Sequence, residues 1–380
     1  MNPTPVAYLD HAATTPMRPE ALEAMLAFYG ERYGNPSGSH RMARDSRRAV
    51  DEARDTVAAA LGCRPGEVVF TGCGTESDSM AIVGTLRRRG GVAVCSSVEH
   101  HAVLHVVEHT GGRVVGVDPC GRIDLDVLAD ALDGDVSIVS VMAVNNEVGS
   151  VSSLDGVAEL MRSKAPNALL HTDAIQAVTW LDMRGITATA DLVSLSAHKF
   201  GGPKGVGVLV VRDGVALEPL LLGGGQEHDR RSGTHNVAGI VALATALRIA
   251  DTQRADDVAR IGALRDRLVD GLLAQVPDSL ETVPRHAKVA GSAHVCFAGV
   301  DSESLLFLAD DGGVCASAAS ACASGAMEPS HVLAAMGTAR THAGGALRLT
   351  LGHTSTDADV DHALTVIPAA VQRIRSRSSS

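Results

Sequence analysis

The chain has 380 residues, 45% of them hydrophobic, and a formal net charge of −11. It is long enough to bury one large core, or a large and a small domain sharing an interface. The negative balance argues against a general nucleic-acid or membrane-surface binder, which would present net positive charge. Aromatics are only 2%, so Ala, Val and Leu must fill the core, a composition common in the helix-covered sheets of α/β proteins. The basic runs Arg87-Arg88-Arg89 and Arg373 to Arg377 read as solvated helix ends rather than a binding patch.

The opening "MNPTPVAYLDHAATTP" has no basic region followed by an apolar run, and nowhere do 18 apolar residues run together. A soluble cytoplasmic protein without a membrane partner is expected. Next, "RPEALEAMLAFYGERYG" and "MARDSRRAVDEARDTVAAALG" have helical spacing, the second ending at Gly62. From residue 67 the short β-branched runs "EVVF", "GVAVCSS", "RVVGV", "VSIVSVMAV", "ALLHTD" and "DLVSLS" alternate with helix-like "TESDSMAIVGTLRR", "HAVLHVVEH", "LDVLADAL" and "LDGVAELMRS". That alternation predicts an α/β fold with a mainly parallel sheet covered on both faces and binding groups at the strand ends. From Asn236 to Gln275 the helical pattern is long, and "DTQRADD" is expected to bend it or join two helices. Beyond it "AHVCFA", "GVCASA" and "ALRLTLG" suggest strands of a smaller α+β unit, and the end "RIRSRSSS" is expected to fray. The division expected is a large domain over 15–250 and a small one built from 1–14 and 251–380.

Of the 33 basic residues only Lys164, Lys199, Lys204 and Lys288 are lysines, so a lysine marks a place where guanidinium will not serve. An unprotonated amine can form a Schiff base and guanidinium cannot. If Lys199, in "SLSAHKFGGPKGVGVLVV", binds pyridoxal 5′-phosphate (PLP), the cofactor needs an acid for its ring nitrogen, a phosphate cup and a group against the ring. Asp173 ends the run "ALLHTD", with Gln176 three residues on, positioned to bond the ring hydroxyl. Gly74 and Thr75 in "TGCGTES" open a helix whose positive end suits phosphate. Ser196 and His198 flank the lysine and could complete the cup, while His100 could stack on the ring and move protons. Each feature alone is ordinary, a cap, a turn or a solvated side chain. Their weight lies in falling at consecutive strand ends.

From "YLDHAATTP" through "YGNPSGSH", "TGCGTESDSMAI", "SVEHHAV", "VNNEVG", "HTDAIQAV", "SLSAHKFGGPKGVG" and "GGGQEHDRRSGT" to "SACASGAMEPSHVL" and "LRLTLGHTSTDADVD", the chain resembles the cysteine desulfurases of the NifS/IscS type. These belong to the fold-type-I PLP enzymes of the class V aminotransferase superfamily. The resemblance implies a seven-stranded-type sheet, PLP, L-cysteine as substrate and a homodimer in which Thr234 reaches the partner subunit's phosphate. Lys199 is then the Schiff-base lysine, and Asp173 and Gln176 address the ring while Thr75, Ser196 and His198 address the phosphate. His100 stacks, Asn145 contacts cofactor or substrate, and Arg348 clamps the substrate carboxylate, a planar task suited to guanidinium. His11, Cys73, Ala319 and "GHTST" depart from commoner patterns without removing a required group.

Cysteines 63, 73, 95, 120, 296, 315 and 322 are odd in number, scattered and free of Cys-x-x-Cys pairs, so neither a disulfide framework nor a zinc ribbon is suggested. Cys322, among the small residues of "ASAASACASGAM", is implied as the nucleophile that takes sulfur from cysteine, leaving alanine, and Cys315 is expected in the core. The sulfur acceptor, an iron–sulfur scaffold, a tRNA thiolation protein or the DNA phosphorothioation machinery of DndA-like enzymes, stays open. His101, His105 and His109 recur at helical spacing but lack a further ligand type, so no metal is expected. A selenocysteine lyase or aminotransferase on the same fold is the nearest alternative. A non-catalytic scaffold would predict damaged chemistry, yet Lys199, Asp173, His100, Cys322 and Arg348 are all present.

Overall fold

The computed structural model describes residues 6–318 and 330–378. Its first half contains β1 (Ala7–Tyr8), α1 (Pro19–Leu26), α2 (Arg41–Leu61), β2 (Val68–Thr71), α3 (Gly74–Arg89), β3 (Val92–Ser96), α4 (His101–His109), β4 (Arg113–Val115), α5 (Leu125–Ala131), β5 (Val136–Ser140) and α6 (Leu154–Lys164). Then come β6 (Leu169–Asp173), α7 (Met183–Thr189), β7 (Leu192–Ser196), β8 (Gly207–Val211), α8 (Val237–Gln275), β9 (Ser279–Glu281), β10 (Ser292–Phe297), α9 (Ser302–Asp311), β11 (Val314–Cys315), α10 (His331–Ala335), α11 (Arg340–Ala343), β12 (Ala346–Thr350) and α12 (Asp357–Ser378).

Seven strands pair in the order β2-β8-β7-β6-β5-β3-β4. All neighbours are parallel except β8, which runs antiparallel to both β2 and β7. β2, β6, β7 and β8 are buried at every residue, which is why they read as continuous apolar runs rather than alternating ones. Val94, Val139, Val193 and Val210 face one core with α2 and α8, while Val69, Ile138, Leu192 and Leu209 face another with α3 and α4. A further core gathers Leu9, Leu268 and Leu272 of α8, Val295 of β10, Leu347 and Leu349 of β12 and Ile367 of α12. It backs the antiparallel sheet β12-β10-β9.

Three local expectations are corrected. The stretch "DTQRADD" neither bends nor splits the helix, because α8 runs unbroken over 39 residues. Two of its polar side chains find partners in place: Asp251 accepts from Arg184 and Arg254, and Gln253 accepts from Arg18. The tail does not fray at Arg373, since α12 continues to Ser378 and Arg375 donates to the carbonyls of Ala298 and Pro277. The first helix is short, ending at Leu26. The expected end of α2 is found at Gly62, whose φ of +68° is the left-handed conformation that glycine adopts without strain.

Candidate active site

The parallel strands deliver their C-terminal ends to one cavity of about 270 Å3. Gly74, Thr75, His100, Asp173, Gln176, Ser196, His198, Lys199 and Arg348 all border it. Asp173 ends β6, and Ser196 ends β7 before a single 3-10 turn, Ala197–Lys199, that carries the lysine. Arg348 comes from β12, on the other core. Thr234 is exposed and borders a separate surface pocket with Phe28 and Tyr33. Asn145 borders a narrower adjoining cavity, but its Nδ2 donates to Val98 O at 3.0 Å and its Oδ1 accepts from Glu147 N at 2.9 Å and Val148 N at 3.0 Å. Its amide oxygen is thus engaged within its own turn and its nitrogen on Val98, after β3. Neighbouring Asn146 borders both cavities.

Burial sets the protonation of the floor. Lys199 is pushed down to about 8, first by desolvation and then by Arg348, against the opposing pull of Asp173 and Asp10. Its Nζ donates to the carbonyls of Ala12 at 2.5 Å and Ala13 at 2.9 Å. His100 is pushed down to about 4 by burial, with Lys199 adding to the effect, so its imidazole is neutral at physiological pH. Its Nδ1 accepts from Ala102 N at 3.1 Å, which leaves the ring proton on Nε2. Asp173 is raised to about 6 by burial, opposed by the Ile175 N–H bond and by Lys199. Behind it Asp78 is fully buried and raised well above the usual range by desolvation and by the charge of Asp173.

The site's donor set fits PLP. A Cβ on Gly74 would lie 2.2 Å from Ile175 Cδ1, so glycine lets the start of α3 sit against Ile175, just beyond β6, without moving that side chain. Cys73, at the N-cap, makes no side-chain cap bond, and the first-turn amides are left for an anion. Thr75, Ser196 and His198 surround that helix end, with His198 Nδ1 3.1 Å from Thr14 Oγ1. An amine, a carboxylate, a neutral imidazole and a capless helix N-terminus are the groups that aldehyde, ring nitrogen, ring face and phosphate require.

Several residues of the site escaped sequence reasoning. The segment Asp10 to Thr14 bridges the two sides: Gln176 Nε2 donates to Ala12 O at 2.8 Å, and Arg348 Nη2 donates to Asp10 Oδ1 at 2.6 Å. Its motif, "YLDHAATTP", was visible, but nothing local in it indicates contact with residues more than 160 positions away. Cys315, expected in the core, is only half-buried, and burial raises its thiol. Cys322 and Ala319 lie outside the described residues. Among the described residues no three His, Cys, Asp or Glu side chains group to hold a metal. His101 stacks on His105 with ring centroids 4.5 Å apart, and its centroid lies 4.7 Å from that of His331.

Sheet, strand-end cavity and covering helices define an α/β enzyme of the fold-type-I PLP class. The family model for aminotransferase class-V matches residues 7–363. The chain is 45% identical to an IscS-like cysteine desulfurase of Mycobacterium tuberculosis, over 97% of each chain. The solved structure of a NifS-like protein superposes with a TM-score of 0.90 at 34% identity, covering 97% of this chain and all of that one. SspA, solved in complex with cysteine, superposes with a TM-score of 0.79 at 29% identity over 92% of this chain and 100% of its own. The chain therefore belongs to the class-V aminotransferases and, within them, to the IscS-like cysteine desulfurases.

Proposed function

We propose that the chain uses PLP to take sulfur from L-cysteine, releasing L-alanine and leaving a persulfide on Cys322 for an acceptor protein. The observation that carries this is the meeting of Lys199, Asp173, His100 and Arg348 at one cavity. PLP, when bound, supplies an electron sink for the carbon skeleton of the amino acid. Lys199 would hold its aldehyde carbon, Asp173 its ring nitrogen and Thr75, Ser196, His198 and the start of α3 its phosphate. Arg348 orients the substrate carboxylate. His100, neutral with its proton on Nε2, can carry a proton at the ring face.

The sulfur step uses the chain's own thiolate. The Cys322 sulfur forms a bond to the substrate sulfur, the carbon–sulfur bond breaks, and its electron pair stays with carbon, which ends as the methyl group of alanine after protonation. Cys–SH and L-cysteine thereby become Cys–S–SH and L-alanine, with no outside oxidant. Cys322→Ser tests this. The cofactor's absorption should still respond to L-cysteine, alanine release should fall by about a thousandfold or more, and peptide mass spectrometry of the wild type after one turnover should find the added sulfur at Cys322. Extra sulfur at any other cysteine overturns the assignment.

The reading extends to a cytoplasmic homodimer with a large unit over 15–250 and a small one over 1–14 and 251–380. That Thr234 is exposed and absent from the lining of its own cavity supports a role toward the partner subunit's phosphate. Among the described residues no helix is long and apolar enough to cross a membrane. Thr234→Ala should speed cofactor loss on dialysis, and an active monomer would refute the shared site.

A further inference from the structure

Arg348, the group assigned above to the substrate carboxylate, already holds a carboxylate in this structure. Its Nη2 donates to Asp10 Oδ1 at 2.6 Å and its Nη1 to Asn146 O at 3.1 Å, while Nε is buried without a partner among the described residues. The side chains of Arg348 and Asp10 are 8% and 21% exposed, so water screens their attraction less than at an open surface. Asp10 does not reach Arg348 by the play of a loose loop. It forms a parallel bridge with Thr350, two residues beyond Arg348 on β12, and its carbonyl accepts from Tyr8 OH and from the amides of Ala13 and Thr14. Backbone pairing holds the carboxylate beside the guanidinium before any substrate arrives.

We propose that Asp10 is the resident counterion of Arg348 and sets affinity for the amino-acid carboxylate: substrate must take the guanidinium from Asp10, and departing product returns it. This rests on the assignment of Arg348 above. A carboxylate fork engages two adjacent N–H groups of an arginine. Here the Nε edge is buried and both outward nitrogens have acceptors, and the neutral ion pair offers little net attraction to an approaching anion. Binding is then an exchange between two carboxylates of similar strength. An amino acid with one carboxylate is held loosely, and the product leaves readily.

A merely structural Asp10, orienting Arg348, predicts the opposite sign when its charge is removed. The test is Asp10→Asn in the holoenzyme, with L-alanine as the probe, titrated by the change in cofactor absorption, and with KM and kcat measured for L-cysteine. The variant should bind L-alanine about tenfold more tightly, the scale of one charge-assisted hydrogen bond, and its KM should fall by more than its kcat changes. Affinity for alanine that stays the same or weakens overturns the proposal. Arg348→Gln separates the two assignments. If it leaves alanine binding intact, the role of Arg348 is wrong; if it weakens binding while Asp10→Asn fails to tighten it, only the role of Asp10 is wrong. Should Asp10→Asn fail to give folded holoenzyme, Asp10→Ser removes the same charge with a smaller side chain and is held to the same outcomes.

Discussion

Two lysines stand in different surroundings, Lys288 buried and Lys199 half-buried at the strand-end cavity, and desolvation pushes both amines down to about 8. Lys288 lies beside the three-stranded sheet, its side chain fully buried and its Nζ 2.6 Å from Glu281 Oε1. It borders neither cavity at the active site. Among the described residues Lys199 has only the carbonyls of Ala12 and Ala13 as acceptors, and it opens onto the strand-end cavity. A depressed lysine is therefore not in itself a reactive one. Reactivity needs the free amine together with access and the absence of a carboxylate that locks the ammonium form.

The sharpest way to break this contrast is covalent labelling. Borohydride reduction of the holoenzyme should fix the cofactor to Lys199, and Lys199→Ala should lose it and about a thousandfold or more of the activity. Label on Lys288 or Lys204 would reverse the comparison. Next comes stability. Lys288 titrates near 8 when folded against 10.5 as its ordinary value, so the folded chain binds fewer protons between those limits and gains stability as pH rises through them. Below about 8 both states are protonated and the burial penalty is complete. Lys288→Met lacks this linkage, so the stability of the wild type relative to the variant should rise by about 2 kcal/mol between pH 8 and 10 in denaturant titrations. A flat difference would mean that Lys288 is not shifted.

A smaller effect concerns the rate of cofactor capture. Lys199 reacts as the free amine, so capture by cofactor-stripped protein should rise about tenfold between pH 7 and 9 and then level, and Lys288→Met should leave that profile in place. A rate that climbs steadily toward pH 10.5 would place Lys199 at its ordinary value. The least effect is expected at the half-buried Cys315: Cys315→Ser should cost no more than about 1 kcal/mol of stability and leave alanine release unchanged, in contrast to Cys322→Ser.

The motifs around Asp173, His100 and Lys199 were legible because each sits where a strand ends, and a strand's end is a local property. The same locality misled the reading of α8 and α12. "DTQRADD" and the arginines after Arg373 look like breaks or loose ends until their partners, Arg184, Arg18 and the carbonyl of Ala298, are seen across the fold.

The chain by itself determined the alternation of strand and helix, the scarcity of lysine that singles out Lys199, and the family to which its motifs point, because periodicity and residue chemistry are written in neighbouring positions. Tertiary structure alone decided that Asp10 faces Arg348 from 338 residues away, that Asn146 rather than Asn145 reaches both cavities, and that Lys288 is paired while Lys199 is open. Those outcomes depend on which charges burial brings together and which it leaves beside a cavity. Sequence distance carries no record of that.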